Sequence, residues 1–389
     1  MIRHLLVIAL LILLPAAMPA TADPTVAEGR ARRLVEALRS RWLEEREAAK
    51  ESLVALGTAA ESQLLEALRD RDIRVRDVAA DLLGRLATAN AVSSLMQALE
   101  GSQGEERQTI VAALVRAGDP ARAELQRRLA DRAEAPEALA QAWSAFLRVD
   151  VERELECLVT TRNVYGCYTG QFRAIAGLGQ GAIPILWEMF TRPDFPFTEL
   201  QPQRRNILRL LAGWALVDAG DPSLVAGFED LLNQEGVAAR LGLERREIED
   251  TAALALWHLG RTRPMESLVQ RLEGSLEEGV DRTQTRGRTI LLLYRTGQYD
   301  RSERHLQTML EHDPRVADWA HYCLACIYAV QNRVPEALTQ LRAAVAGGYT
   351  DAEWIRLEGD LENLRGNPEF EELVREIQWL DRAAPKQPK

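Results

Sequence analysis

Ala55-Leu56-Gly57-Thr58-Ala59-Ala60-Glu61-Ser62-Gln63-Leu64-Leu65 closes one apolar helix on a glycine and opens a second one a few residues later. The same phrase returns as Gly177-Leu178-Gly179 followed by Ala182-Ile183-Pro184 and Leu186. A second phrase is also said twice, Ala117-Gly118-Asp119-Pro120 and Ala219-Gly220-Asp221-Pro222. Turns that recur between paired helices are the signature of an array of helix–turn–helix units. The expected fold class is therefore all-α, an α-solenoid. From Thr25 onward apolar residues recur at three- and four-residue spacing, as amphipathic helices require.

Working outward from the first phrase, Asp70-Arg71-Asp72 makes a turn. Val75-Arg76, Val78-Ala79-Ala80 and Leu82-Leu83-Gly84 follow it. A turn aspartate, then Val-Arg, paired alanines and Leu-Gly resembles a HEAT repeat. Small residues let the two helices of one repeat approach closely. The resemblance implies that Arg76 pairs with a turn aspartate of a neighbour, with Asp70 or Asp72 as the supplier. The pattern drifts through Val92–Leu99, Ile110–Val115 and Ala138–Phe146. It is clear again at Leu178–Phe190, then Ile207–Val217, Leu224–Leu232, Ala252–Leu259 and Ser267–Leu272. HEAT-like units are expected over residues 23–278.

The last quarter changes its spacing. Leu292-Leu293-Tyr294 leads to Gly297-Gln298-Tyr299-Asp300, then Leu306, Leu310 and Asp313-Pro314. A second unit carries Tyr322, Leu324-Ala325, Ile327-Tyr328-Ala329, Asn332, Glu336-Ala337-Leu338 and Leu341. These resemble tetratricopeptide repeats: a glycine ends the first helix and Asp-Pro closes the unit. Gly347-Gly348-Tyr349, Trp354, Asp360-Leu361, Leu364-Arg365, Pro368 and Phe370 are similar to the unit that ends such arrays. Tetratricopeptide repeats with this cap are expected over residues 283–380, stacked on the last HEAT-like helices. Residues 381–389, rich in proline and polar groups, read as a disordered tail.

Residues 1–22 read as a signal peptide. Arg3 and His4 precede an apolar run from Leu5 to Leu14, and Ala20-Thr21-Ala22 offers small residues before Asp23. That run is too short to span a bilayer, which needs about 20 apolar residues. The expectation is an exported chain, periplasmic or secreted, with no transmembrane anchor.

The chain is 47% hydrophobic and 27% charged, which suits a folded protein. Its net charge of -10 disfavours nucleic acid, whose phosphates call for a basic face. Only Lys50, Lys386 and Lys389 among the 48 basic residues are lysine, a composition that points to no function.

Catalytic motifs are missing. There is no His-Glu-x-x-His, no Gly-x-Ser-x-Gly and no phosphate loop with its lysine. Gly177, Gly179 and Gly181 lie between helices with no strand before them, so they read as a repeat turn. Cys323-x-x-Cys326 has redox or metal spacing but falls in mid-helix, where thiols are structural rather than activated. Cys157 and Cys167 flank Tyr165-Gly166 and are a possible disulfide in an exported chain. Glu244, Arg245, Arg246 and Glu247 read as a solvated helix face.

Two binding surfaces are expected. One is the groove of the tetratricopeptide pair, with Leu291, Tyr294, Arg295, Trp319 and Tyr322 facing it. The other is an aromatic patch of Tyr165, Tyr168, Phe172, Trp187, Phe195 and Phe197. With Phe190, these are seven of the 22 aromatic residues within one short stretch, and Arg204-Arg205 follows. Aromatics and arginine dominate binding hot spots, although a long inter-helix loop packing on its own core would use the same residues. The functional expectation is a non-catalytic scaffold that binds a protein or peptide in the bacterial cell envelope and needs no cofactor. Two alternatives stand beside it: a helical-toroid enzyme acting on envelope polysaccharide or peptide, and a thiol- or metal-linked module using Cys323 and Cys326.

Overall fold

The computed structural model describes residues 24–130, 136–160, 175, 177–193, 201–278, 282–349 and 351–383. Every regular element among them is helical, so the chain is all-α and built by stacking neighbouring helices, as a solenoid is. It divides into two units, Met1–Val149 and Asp150–Lys389. The signal segment, Cys167, Tyr165, Tyr168, Phe172, Phe195, Phe197 and the tail from 384 lie outside the described residues, as does the Cys157 side chain.

The first unit holds α1 (Pro24–Ala37), α2 (Leu43–Leu56), α3 (Glu61–Ala67), α4 (Ile73–Leu86), α5 (Ala89–Gly101), α6 (Gly104–Ala117) and α7 (Asp119–Ala130). The unit boundary falls inside α8 (Glu137–Thr160). The helices α2, α4 and α6 open successive repeats and pack side by side, and α3, α5 and α7 return. Gly57 and Gly118 end α2 and α6 with φ of +56° and +68°, a conformation that costs glycine nothing. The repeated sequence phrases are therefore the places where the backbone must turn left-handed.

The small residues do their work between repeats. A Cβ on Gly84 would lie 2.4 Å from the carbonyl oxygen of Ala113, so α4 and α6 touch backbone to side-chain face. Ala79 and Ala80 are also buried on α4. The closest approach joins successive first helices rather than the two helices of one repeat.

A ladder of arginines ties these repeats. Arg46, Arg76 and Arg107 hold equivalent places on α2, α4 and α6. Each donates to a carbonyl in the turn before its helix: Ser40 at 2.9 Å, Asp70 at 2.8 Å and Ser102 at 2.6 Å. Arg76 then reaches Glu106 at 2.8 Å and Arg107 reaches Glu137 at 3.1 Å, each 30 residues ahead. The carboxylate of Asp70 pairs with Arg39. The expected aspartate pairing of Arg76 is thus replaced. Arg76 takes the backbone oxygen of Asp70 and a glutamate of the next repeat, because Arg39 already holds the Asp70 side chain.

The second unit continues with α9 (Ala182–Thr191), α10 (Pro202–Ala219), α11 (Val225–Asn233) and the short α12 (Val237–Leu241). The pairs α13 (Arg245–His258) and α14 (Arg263–Glu278), α15 (Arg282–Arg295) and α16 (Tyr299–His312), α17 (Ala317–Val330) and α18 (Val334–Ala346) follow. The chain ends in α19 (Ala352–Leu357), a 3-10 turn at Gly359–Leu364 and α20 (Pro368–Ala383). Each returning helix packs on the first helix of the next pair, α14 on α15 and α16 on α17 included. The last pairs thus stack on the helices before them.

The three long pairs close in the same way. Arg261 N–H bonds Leu256 O at 2.7 Å, Gln298 N–H bonds Leu293 O at 2.8 Å, and Arg333 N–H bonds Tyr328 O at 2.7 Å. These six-to-one bonds each enclose a residue at positive φ: Gly260 at +80°, Gly297 at +72° and Asn332 at +59°. This is the glycine-type helix stop, with asparagine as the residue next best suited to it. Gly297 and Asn332 are therefore conformational equivalents.

Arg209 sits on α10 and is buried to 2% exposure. Its guanidinium donates to the carbonyls of Met189 and Phe190 at 3.2 Å, Arg192 at 2.7 Å and Pro193 at 3.4 Å. A charged side chain thus caps the C-terminus of α9, where the helix dipole favours a cation.

Candidate functional site

The expected groove residues lie on α15 and α17. Leu291 and Tyr294 stand three apart on one helix, as Trp319 and Tyr322 do on the other, so each pair shares a face. The structure separates them by depth. Leu291 and Trp319 are partly exposed, and Tyr294, Arg295 and Tyr322 are buried at 5%, 8% and 1% exposure. The five residues do not form one open surface.

The buried tyrosines face the segment between α19 and α20. Tyr294 donates its hydroxyl to Asp360. Tyr322 donates to Glu358 Oε2 at 3.2 Å and accepts from Trp354 Nε1 at 2.8 Å. Tyr349 stacks flat on Tyr322 with ring centroids 4.4 Å apart. Glu358 is fully buried and Asp360 nearly so. A buried carboxylate demands partners, and the hydroxyls from α15 and α17 supply them. Burial and the nearby Asp360 charge push the Tyr299 phenol up from its ordinary value.

Arg295 faces the other way. It pairs with Asp218 at 2.7 Å and stacks over the Trp214 ring at 4.9 Å. Burial raises the Asp218 carboxyl, with Arg295 opposing the rise. Burial also lowers the His258 imidazole, and the Arg295 charge lowers it further. The C-terminal ends of α10, α13 and α15 are tied together by these groups. Nearer the start of α15, Arg288 grips Asp250 at 2.6 Å. What stays accessible between α15 and α17 is the stretch around Leu291 and Trp319. A side chain at Gly287 would reach the Trp319 ring at 4.0 Å.

Of the aromatic patch, Trp187 is described. It packs edge-on against Phe228 with centroids 5.1 Å apart, and Gly227 leaves room for its ring. It is a core contact between α9 and α11. Cys323 and Cys326 lie buried in the middle of α17. His321 donates from Nδ1 to Gln340 Oε1 at 2.7 Å. No cluster of three or more His, Cys, Asp or Glu able to hold a metal occurs among the described residues. Glu244 and Glu247 form a reciprocal N-terminal cap of α13, and Arg245 pairs with Glu249 at 3.2 Å.

Sequence reasoning missed a surface of the first unit. An open groove of about 770 Å³ is lined by Arg32, Arg39, Arg69 and Arg71 together with the acids Glu36, Glu66, Asp70 and Asp72. A neighbouring groove of about 430 Å³ lies over Leu65, Leu68, Ser94 and Gln97. The run Arg69-Asp70-Arg71-Asp72, all of it on the groove, was the available signal.

No protein-family model matches the chain. It is similar to a chloroplastic protein of Arabidopsis thaliana, with 32% identity over 85 residues. That match covers 21% of this chain and 25% of the relative, so the chain spans about a quarter of the length of that protein. Among solved structures it is similar to human deoxyhypusine hydroxylase in complex with glycerol, at 18% identity, over 70% of this chain and 98% of that one. The TM-score of 0.27 is too low to carry an argument. No helix among the described residues is long and apolar enough to cross a membrane.

Proposed function

We propose that this chain is a non-catalytic scaffold that holds a peptide or protein partner. In this reading HEAT-like repeats lead into tetratricopeptide repeats, and the chain is exported and works in the bacterial cell envelope. The observation that carries the reading is the seam between α15 and α17. Its deeper part already holds an acidic turn of the chain's own cap through Tyr294 and Tyr322. Its shallower part presents Leu291 and Trp319 partly exposed. A seam that grips an acidic turn by hydroxyl donors, beside an apolar shelf, has the elements of peptide recognition: polar groups fix register and an aromatic anchor supplies burial.

The test is selection from a displayed peptide library on the purified chain. Enriched peptides are expected to share a motif and to lose at least tenfold in affinity with Leu291→Ala plus Trp319→Ala. Both residues are partly exposed, so the variant is expected to keep its fold, which circular dichroism checks. Absence of any enriched motif would overturn the reading, as would enrichment that ignores the double substitution.

A further inference from the structure

The first two repeats of the first unit share an edge on which two unusual features coincide. The helices α2 and α4 run side by side in register, as Lys50 on α2 reaches Asp81 on α4 at 3.6 Å. Their starts lie at the same edge. Leu43 opens α2 and is 58% exposed; Ile73 opens α4 and is 42% exposed. Trp42, just before α2, is 42% exposed and carries Arg41 over its ring at 4.7 Å. Large apolar groups protrude at the same place in consecutive repeats.

The second feature is cationic. Residues 39–46 and 69–76 contain seven arginines and four carboxylates, in a chain whose net charge is -10. Asp70 is taken by Arg39 and Asp72 by Arg74. Glu45 accepts the Ser40 hydroxyl at 2.5 Å, Glu44 is exposed at the start of α2, and Arg76 is paired with Glu106. Among the described residues Arg69 and Arg71 have no acidic partner, and both are exposed, as is Arg32 across the adjoining groove.

We propose that this edge docks the first unit onto a bilayer of anionic lipid. Tryptophan and aliphatic groups between arginines match the chemistry of a membrane interface: rings and alkyl chains enter below the headgroups while guanidiniums meet phosphate. A soluble acidic protein would match the charge but would leave the protruding Trp42, Leu43 and Ile73 without an apolar layer to enter. The proposal does not depend on the peptide-binding reading of the second unit.

The experiment is vesicle flotation with the chain lacking apolar residues 1–22, which keeps every described residue. Vesicles of phosphatidylglycerol and phosphatidylcholine are compared with phosphatidylcholine alone. Binding is expected with the anionic vesicles, weakened at least tenfold by 0.5 M salt. The variants Arg41→Gln, Arg69→Gln, Arg71→Gln combined, and Trp42→Ser, Leu43→Ser, Ile73→Ser combined, are each expected to lose at least tenfold. Arg263→Gln with Arg304→Gln, two exposed arginines of the second unit, is expected to bind as the parent does. Equal binding to both vesicle types would overturn the proposal. So would binding that survives either triple substitution, or full competition by soluble polyglutamate. Circular dichroism melting of each variant separates loss of the edge from loss of the fold.

Discussion

Asp218 and Arg295 stand 77 positions apart in the chain, yet their side chains meet at 2.7 Å with the guanidinium almost wholly buried. The pair joins the end of α10 to the end of α15 across the end of α13. One end of a long-range pair cannot be removed without stranding the other in a poorly solvated place. Asp218→Asn is therefore expected to cost about 3 kcal/mol of unfolding free energy. Asp218→Asn with Arg295→Met is expected to cost less than the sum of the two single changes. Urea unfolding of the three variants checks this, and strict additivity would contradict the coupling.

Gly84→Ala is expected to destabilise the first unit by about 1–3 kcal/mol, since the added methyl meets the Ala113 backbone and the helices must part. Gly274→Ala, in mid-helix with nothing near its Cβ position, is expected to be neutral or to stabilise by up to about 1 kcal/mol. Thermal melts should fall for Gly84→Ala and hold or rise for Gly274→Ala.

Arg209→Met should loosen the end of α9, because four carbonyls lose a buried charged donor. A loss of about 3 kcal/mol is expected. Hydrogen exchange should rise first in residues 182–193, ahead of the pairs from 282 onward. Uniform acceleration across the second unit would argue against a local cap.

Tyr294→Phe and Tyr322→Phe each remove a hydroxyl that answers a buried carboxylate, at a cost of about 1–3 kcal/mol apiece. The segment around Glu358 and Asp360 is expected to become the first site of limited proteolysis. An unchanged cleavage pattern would show that the cap is held by other contacts.

The carboxyl of Glu124 is held down to about 2 by hydrogen bonds from Arg127 and then Arg128. A carboxylate with a depressed folded value contributes stability above its unfolded value, near 4.5, and loses it as pH falls toward 2. The melting temperature of the parent is expected to exceed that of Glu124→Gln above about pH 5, with the gap closing between about pH 4.5 and 2. A gap that stays constant through that range would contradict the pairing.

Much of the fold was legible because it is local. Gly57, Gly118, Gly297 and Asn332 mark helix ends by a backbone demand that only a few residues meet, so their repetition exposes the period directly. The paired alanines and Gly84 were readable as a close approach. The helix they approach was misread as the other helix of the same repeat, since both neighbours satisfy the same pattern, and Gly84 meets Ala113 of the next repeat instead. The partner of Arg76 was misread for a related reason. The turn offers a carboxylate and a carbonyl within the same reach, and Arg39, a repeat earlier, decides between them. The groove residues were found by register, yet register is blind to depth. Tyr294 and Tyr322 are covered by a turn 66 and 36 positions further on. Arg209 gave no signal, because an arginine in an apolar run looks like surface until the carbonyls it caps are in place.

The arginine ladder carries a consequence for how such a chain can change length. The rungs at Arg76 and Arg107 each bond the turn before their own helix and an acid one repeat ahead. Deleting one whole period, residues 77–107, would keep Arg76 on the Asp70 carbonyl and bring Glu137 to where Glu106 stood. Duplicating the same period would insert a rung that finds its partners already waiting. The grammar is modular: gain or loss of a full period preserves every bond type, while a change of a few residues breaks the count.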